Sequence, residues 1–480
     1  MTTHLIRNAC VLTVNAGMEV FDPGFVLVEG DRIRAAGPMG QAPDGPFDRV
    51  TDAGGALLAP GLINLHQHVQ MNFSKGLAGG LRLEKWSVGL AAKTRDAMVW
   101  EDFAASFRLG ALEMLRTGTT TFFHHGASRY REGHEAEIAA EFRQFGIRQV
   151  LALPYQIRTP ALPDHPFGPA EADAHLRARF RELDDRATDL VRIAAVIECN
   201  AHHTRAGRSS DELVQAGYAT ARDLDLRIGT HMSGGSLSLS FGFTYYKRLT
   251  GRSDVEYLRQ MGVLDHRWLL IHGIHFTDQD MDMVAEAGSA VVYTPSSECS
   301  RGGGIGPWVE MLERGITCAL GSDGPAVDYT VDMVEQMKAA CLFQNLRHRR
   351  PGALAPARAL RMATIDAARA IGMDDVIGSI ESGKRADLVM FARDRAVQQL
   401  TDDPVAALVL ATQGADAVLV MVNGEAVYDA GRFRAGIDPV AIMADAGARA
   451  RRAGIDSGMV VRSVPDWPPV PALREREKWL

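Results

Sequence analysis

The strongest constraint on the fold is an alternation of short apolar runs with longer segments of helical periodicity. Segments such as EDFAASFRLGALEMLRTG, which lie between the runs, place apolar residues with the 3.6-residue period of an amphipathic helix. Strands that alternate with helices form parallel sheets, and eight such units close into a barrel. We therefore predict an α/β fold, a (β/α)8 TIM barrel. The eight apolar runs are LLAPGLINLH, TTTFFHH, IRQVLALP, VRIAAVIEC, LRIGTH, WLLIHG, SAVVYTP and ITCALGSDG.

Shorter β patterns flank the barrel on both sides. Residues 4–35 alternate and contain an EGD turn, and a later segment contains the hairpin signal VNGE. These patterns predict a small β-sandwich built from both chain ends. The predicted parts are the first half of the sandwich (1–57), the barrel (58–375), the second half of the sandwich (376–435) and a C-terminal helix with an extended tail (436–480).

Composition excludes several classes of function. The formal net charge is −7 and no Lys/Arg-rich run occurs, so no nucleic-acid surface is indicated. No apolar stretch reaches the roughly 18 residues of a membrane span. The five cysteines are scattered without a CxxC motif, and the N-terminal segment lacks the pattern of a signal peptide. We expect a cytoplasmic protein with neither nucleic-acid nor membrane partners.

Unusual polar residues fall where the predicted strands end. His66 and His68 lie two residues apart and therefore share one face of the first strand. His231 and His272 close the fifth and sixth runs, and Asp323 follows the eighth. The carboxyl ends of the strands form the active-site face of such a barrel. Imidazoles with one carboxylate suit Zn²⁺ and are compatible with Fe²⁺, Co²⁺ or Mn²⁺, so we predict a divalent metal site.

Five stretches of the sequence carry a family resemblance. The chain resembles the amidohydrolase superfamily, in the branch of nucleobase and S-adenosylhomocysteine deaminases, triazine hydrolases and phenylurea hydrolases. This resemblance covers nearly the whole chain and implies a metal-dependent barrel with a small β-sandwich. The stretches that carry it are LLAPGLINLHQHV, THMSG, WLLIHGIHFTD, GSDGPAVDYTVDMVEQMKAA and GSIESGKRADLVMF.

The positions of these motifs indicate which residues of this chain would have the family's metal-binding and catalytic roles. The resemblance implies that His66, His68, His231 and Asp323 bind one divalent metal ion per chain, with Zn²⁺ favoured. It also implies that His272 lies beside the metal-bound water. Asp323 could then accept the proton of that water during attack.

One position departs from the deaminases of this branch. They carry a glutamate three residues after the strand-five histidine, which shuttles a proton to the ring nitrogen and to leaving ammonia. Gly234 stands at this position and cannot carry a proton. We therefore favour attack of metal-bound hydroxide on a small amide, urea, carbamate or thiocarbamate, because the leaving amine can take the proton held by Asp323.

Two alternatives remain open from the sequence. The first is a deaminase or dechlorinating hydrolase of a purine, pyrimidine or triazine ring, in which Glu298 or a histidine replaces the glutamate. Glu298 is a candidate catalytic acid because it follows strand seven, and Glu198, at the end of strand four, could serve as that acid or bridge a second metal. The second alternative is a barrel that binds a small ligand without catalysis.

The sequence also indicates the class of substrate, the residues that could bind it and the oligomeric state. We expect a small-molecule substrate, and the C-terminal tail together with the resemblance favours a homodimer or larger homo-oligomer. Polar and aromatic residues after the first, second and fourth strands are candidates for substrate binding. They are Trp86, His125, His202 and His203.

Overall fold

The structure of the protein is a computed structural model. It consists of two β-sheets and the helices around them. The structure describes residues 2–75, 93, 96–126, 134–155, 168–199, 209–234, 251–399 and 402–456. The strands are β1 (Thr3–Leu12), β2 (Val20–Glu29), β3 (Arg32–Pro38), β4 (Arg49–Asp52), β5 (Leu57–Pro60), β6 (Leu62–Gln67), β7 (Thr119–His125), β8 (Arg148–Pro154), β9 (Val191–Val196), β10 (Ile228–Met232), β11 (Trp268–His272), β12 (Ala290–Tyr293), β13 (Cys318–Leu320), β14 (Leu388–Phe391), β15 (Ala417–Val422), β16 (Glu425–Asp429) and β17 (Arg432–Phe433).

Helices connect most of the barrel strands. The α-helices are α1 (Trp100–Arg116), α2 (Glu135–Phe145), α3 (Pro169–Leu183), α4 (Asp211–Asp223), α5 (Asp254–Gln260), α6 (Asp278–Ala287), α7 (Pro295–Ser300), α8 (Trp308–Glu313), α9 (Pro325–Asp328), α10 (Met333–His348), α11 (Pro356–Met362), α12 (Ile365–Ala370), α13 (Ala396–Gln399), α14 (Pro404–Ala406) and α15 (Pro439–Asp456). Short 3₁₀ segments lie at Met39–Gln41, Val69–Ser74 and Gly414–Asp416, and a π-helical turn lies at Ala407–Ala411.

The barrel sheet runs from β6 to β13 in chain order. Neighbouring strands pair in parallel, and nearly all of their residues are buried, as parallel sheets covered on both faces require. An isolated parallel bridge between Gln67 and Asp323 joins the last strand to the first, and the Asp323 N–H donates to the His66 carbonyl at 2.9 Å. Each predicted apolar run contains one of these strands. The prediction of an α/β barrel is therefore confirmed.

The first apolar run divides between the two sheets. β5 pairs with β1 and β14 in the second sheet, whereas β6 begins the barrel. Gly61 separates them, and a Cβ atom at this position would lie 2.2 Å from the Thr120 hydroxyl oxygen. Only glycine allows the chain to pass so close to β7. The hydrophobic pattern did not reveal this division, because both strands are apolar and buried.

The second sheet combines strands from both chain ends. Its order is β17-β16-β15-β14-β5-β1-β2-β3, with β4 paired to β1. Along β14, Leu388 and Met390 pack in the sheet's own core, whereas Val389 and Phe391 pack against the barrel's core. This alternation buries both faces of the strand and fixes the sheet against the barrel. A small β unit formed by both chain ends was the predicted arrangement.

A buried polar contact ties the small sheet to the amino end of a barrel strand. Arg148, the first residue of β8, donates through Nε and Nη2 to the Asp387 carboxylate at 3.0 and 2.9 Å. Its Nη2 also donates to the Asn423 side-chain oxygen at 2.6 Å. Both charged side chains are almost completely buried, with exposures of 0% and 2%. This pair lies at the end of the barrel opposite the predicted active-site face.

The C-terminal helix α15 packs on helix α1. Arg449 and Arg452 form ion pairs with Asp102, which is fully buried in the first turn of α1. A C-terminal helix was the prediction for this part of the chain, and the predicted tail after residue 456 lies outside the described residues. Within the described ranges, the helices are too short or too polar to cross a membrane.

Candidate metal centre

Four histidines meet at the carboxyl ends of three barrel strands. His66 lies near the end of β6 and His68 just beyond it, so the strand geometry directs both rings to one side. The centroid of the His66 ring lies 4.7 Å from that of His68, 5.0 Å from that of His231 and 5.5 Å from that of His272. The structure thus brings together the four imidazoles that the sequence placed at the ends of three strands.

Asp323 completes this group of side chains from the turn after β13. Its Oδ1 lies 3.4 Å from His66 Nε2 and 3.6 Å from His68 Nε2, and His68 Nε2 lies 3.3 Å from His231 Nε2. Asp323 and His272 have φ angles of 63° and 84°, a left-handed conformation that non-glycine residues seldom adopt. Such backbone geometry concentrates at functional sites, where it directs side chains inward.

The donor atoms of this group fit a divalent metal ion. Both ring nitrogens of His66 and Nδ1 of His68 are buried without a hydrogen-bond partner among the described residues. Burial lowers the pKa of both histidines well below the ordinary value, so both rings are neutral and present lone pairs. Three-residue sets with ligand atoms within 4.8 Å of one another include His66, His68 and His231, and also His66, His272 and Asp323. Neutral imidazoles and a carboxylate are the ligands that zinc prefers.

Asp323 is held as a carboxylate despite its burial. Burial raises its pKa, but the nearby His66 ring and the Arg301 guanidinium together bring that pKa well below its ordinary value. Ser297 donates its hydroxyl to Oδ2 at 2.7 Å, and the Gly324 N–H donates to Oδ1 at 2.6 Å. These contacts fix the orientation of the carboxylate relative to the imidazoles.

Glu298 lies behind His272, on the short helix α7. Its Oε1 is 2.6 Å from His272 Nδ1 and accepts a hydrogen bond from Arg301 at 2.5 Å, while Thr294 Oγ1 is 3.1 Å from the same His272 nitrogen. Burial raises the pKa of Glu298, but Arg301 and His272 bring it below its ordinary value, so the side chain is an anion. Glu298 is fully buried and therefore contacts the site through His272.

Glu198 and His125 form a second polar group behind His231. Glu198 Oε1 lies 2.5 Å from His231 Nδ1 and 3.0 Å from His125 Nε2. Burial opposes protonation of His231, but the Glu198 carboxylate raises its pKa above the ordinary value. Burial and the neighbouring His231 lower the pKa of His125 to about 4. His125, a candidate for substrate binding, is 1% exposed and bonds to Glu198.

Gly234, at the position of the family glutamate, lies against the His272 ring. A Cβ atom at Gly234 would be 2.6 Å from His272 Cδ2 and 2.8 Å from its Cβ. The ring of His272 therefore occupies the space that a side chain at position 234 would need. The sequence indicated the missing carboxylate, but it gave no signal that a histidine from the next strand would fill its place.

Three predicted site residues lie outside the described part of the chain, and two residues near the site were not predicted. The candidates Trp86, His202 and His203 lie outside the described residues. Sequence analysis missed Arg301 and Ser297, whose side chains hold Glu298 and Asp323. The three-residue spacing of Glu298 and Arg301 in a helical segment is the one signal that could have suggested their pairing.

Comparison with known proteins identifies the family to which this chain is similar. The model of the amidohydrolase family matches residues 57–427. A 5-methylthioadenosine/S-adenosylhomocysteine deaminase of Nitratidesulfovibrio vulgaris is 31% identical over 434 residues, which cover 89% of this chain and 93% of the relative. A 5′-deoxyadenosine deaminase of Methanothermobacter thermautotrophicus is 31% identical over 417 residues, covering 85% of this chain and 91% of that protein.

Solved structures show the same architecture. A zinc-bound adenosine deaminase of Xanthomonas campestris superposes with a TM-score of 0.85 at 25% identity, covering 95% of this chain and 99% of that structure. A zinc-bound atrazine chlorohydrolase of Arthrobacter aurescens shares the fold, with a TM-score of 0.83 at 23% identity over 93% of this chain and all of the other. The chain therefore belongs to the amidohydrolase family, and the prediction of a metal-dependent hydrolase of non-peptide carbon–nitrogen bonds is confirmed.

Proposed function

We propose that His66, His68, His231 and Asp323 hold one zinc ion per chain. The support is the convergence of these side chains, the unpaired nitrogens of His66 and the neutral state of the two β6 histidines. Zinc bound to the adenosine deaminase of Xanthomonas campestris also supports this choice of metal. When bound, the ion would lower the pKa of a water ligand and polarise an oxygen of the substrate.

We propose that the reaction is hydrolysis of a carbonyl-type C–N bond in a small amide, urea, carbamate or thiocarbamate. The observation that carries this proposal is the His272 ring against Gly234, where the deaminases of the branch carry their glutamate. Asp323 is an anion and would accept the proton of the attacking water and pass it to the leaving amine. His272, whose Nδ1 faces the Glu298 carboxylate, would accept a hydrogen bond from the attacking water through Nε2 and so orient it.

The second candidate is removal of an amino or chloro group from a purine, pyrimidine or triazine ring. Identity of 31% to two deaminases of adenine-containing compounds favours it. In this case the proton relay to the ring nitrogen would have to pass through His272, because Glu298 is fully buried and reaches the site through that ring. We propose the same zinc site for both candidates.

Identification of the product separates the two candidates. Zinc-loaded protein is incubated with a panel of phenylureas, carbamates, anilides, aminopurines and triazines, and the products are analysed by mass spectrometry. We expect an amine and an acyl or carbonate-derived fragment. Ammonia or chloride release with a hydroxylated ring would instead establish the second candidate. Tight binding of a panel compound without turnover by zinc-loaded protein would contradict both.

The close contact between Gly234 and His272 predicts the effect of a single added methyl group. Gly234→Ala should displace the His272 ring and lower kcat on the substrate identified above by about 10²-fold, the effect expected of a displacement of about 1 Å. Zinc content should remain at the wild-type value. The matched control is Gly40→Ala, because a Cβ there meets no atom within 4 Å. Wild-type kcat in Gly234→Ala would show that the position of His272 has no influence on turnover.

We further propose that the protein is cytoplasmic and forms a homodimer or larger homo-oligomer without nucleic-acid or membrane partners. The net charge of −7 supports the absence of a nucleic-acid surface. The exposed apolar residues Leu342 and Leu346 on α10 support self-association. We also propose that the chain divides into its sandwich, barrel and C-terminal parts at the boundaries given in the sequence analysis, except that the first boundary lies at Gly61, because β5 pairs within the small sheet.

A further inference from the structure

One carboxylate oxygen behind the candidate metal centre contacts two imidazoles. Oε1 of Glu198 lies 2.5 Å from His231 Nδ1 and 3.0 Å from His125 Nε2, and Oε2 accepts the backbone N–H of His231 at 3.2 Å. Glu198 is 5% exposed and His125 is 1% exposed. A buried carboxylate accepts hydrogen bonds only, so each imidazole nitrogen that faces Oε1 carries its proton.

These distances distinguish a hydrogen-bonded group from a second metal site. His125, Glu198 and His231 are close enough in space to be considered as ligands of an ion. However, two ligand atoms bonded to one zinc at about 2.0–2.1 Å with tetrahedral angles lie about 3.3 Å apart. The 2.5 Å between His231 Nδ1 and Glu198 Oε1 is a hydrogen-bond distance. The geometry therefore favours a proton between these atoms.

The proton on Nδ1 determines how His231 presents its other nitrogen. With Nδ1–H donated to Glu198, the neutral His231 ring carries its lone pair on Nε2, and this atom lies 3.3 Å from His68 Nε2 on the metal side of the ring. The second bond, from the His231 N–H to Oε2, fixes the carboxylate to the same residue. His125 occupies the remaining side of Oε1 and limits rotation of the carboxylate.

We infer that Glu198 is a positioning residue that fixes the tautomer and orientation of His231, and that His125 holds Glu198 in place. This inference rests on the proposed zinc site. It assigns to Glu198 neither a proton-transfer step nor a second ion. Carboxylate partners of metal-binding histidines commonly change metal affinity by about 10–100-fold, because they orient the ring and increase its donor strength.

The test compares zinc binding by the wild-type chain and by Glu198→Gln, with chelator competition for affinity and metal analysis for stoichiometry. We expect one zinc per wild-type chain and an affinity about 10–100-fold lower in Glu198→Gln. The visible absorption of the Co²⁺-loaded protein should change in the same variant. The matched control is Glu135→Gln, which alters another glutamate–histidine pair, buried Glu135 with partly exposed His175 at 3.0 Å, and should keep wild-type affinity.

A double-mutant cycle separates positioning from a general effect on folding. In a His231→Ala background, Glu198→Gln should cause no further loss of zinc affinity, because the residue through which Glu198 acts is absent. An equal loss with and without His231, wild-type affinity in Glu198→Gln, or two ions per wild-type chain with one lost in Glu198→Gln would each overturn the inference. Wild-type zinc affinity in His66→Ala would instead contradict the proposed zinc site itself.

Discussion

His66→Ala is expected to lose its bound zinc and to lower kcat/KM by at least about 10³-fold, because metal activation of water contributes several kcal/mol. His66 lies at the centre of the site, with ring centroids of four other histidines within 5.5 Å. Both of its ring nitrogens are buried and lack hydrogen-bond partners among the described residues. Alanine removes these donors without leaving a buried charge.

Metal analysis and steady-state kinetics on the substrate identified by the product panel check this result. The matched control is His4→Ala, which removes a buried histidine of the small sheet whose Nε2 lies 2.8 Å from the Thr51 hydroxyl. This control should keep its zinc and its kcat/KM. A His66→Ala protein with full zinc content and wild-type turnover would exclude His66 as a ligand.

The second large effect concerns the ion pair that joins the small sheet to the barrel. Arg148→Met should lower the free energy of unfolding by about 3–5 kcal/mol, because it leaves the Asp387 carboxylate buried without its cation. The metal centre lies at the opposite end of the barrel strands, so zinc content should be unchanged. Urea unfolding followed by circular dichroism measures the difference.

Two further variants control this prediction. Arg148→Met combined with Asp387→Leu removes both charges and should recover part of the lost stability, since the penalty comes from the unpaired carboxylate. Arg7→Met breaks a half-exposed pair with Asp52 and should leave stability close to the wild-type value. Equal losses in Arg148→Met and Arg7→Met would show that burial of the pair does not determine its contribution.

The barrel was predictable because its signals are local in sequence. Each strand is a continuous apolar run, and the residues that close these runs meet because parallel strands end at one face. This rule alone brings His231 and His272 together, although the chain between them is 40 residues long. The division of the first run at Gly61 was not predictable, because the Thr120 hydroxyl that requires glycine there belongs to another strand.

The contacts behind the site histidines depend on information that a single sequence does not contain. Glu198 and Glu298 were visible as acidic residues near strand ends, and each was considered as a proton-transfer group. Their partners depend on side-chain orientations in the folded chain, which place Glu198 at His231 and Glu298 at His272. The contact between Arg148 and Asp387 spans 239 residues, so no local pattern indicates it.

The closure of the barrel through Gln67 and Asp323 links ligand binding to folding. The first and last barrel strands meet in an isolated bridge, beside which the Asp323 N–H bonds to the His66 carbonyl, so two of the proposed ligands flank one seam. An ion bound by both side chains would link the first and last strands of the barrel. Such a ligand, bound only by the folded chain, stabilises it by about 4 kcal/mol at a concentration 1,000 times its Kd. Metal binding and the stability of the closed barrel are therefore thermodynamically linked.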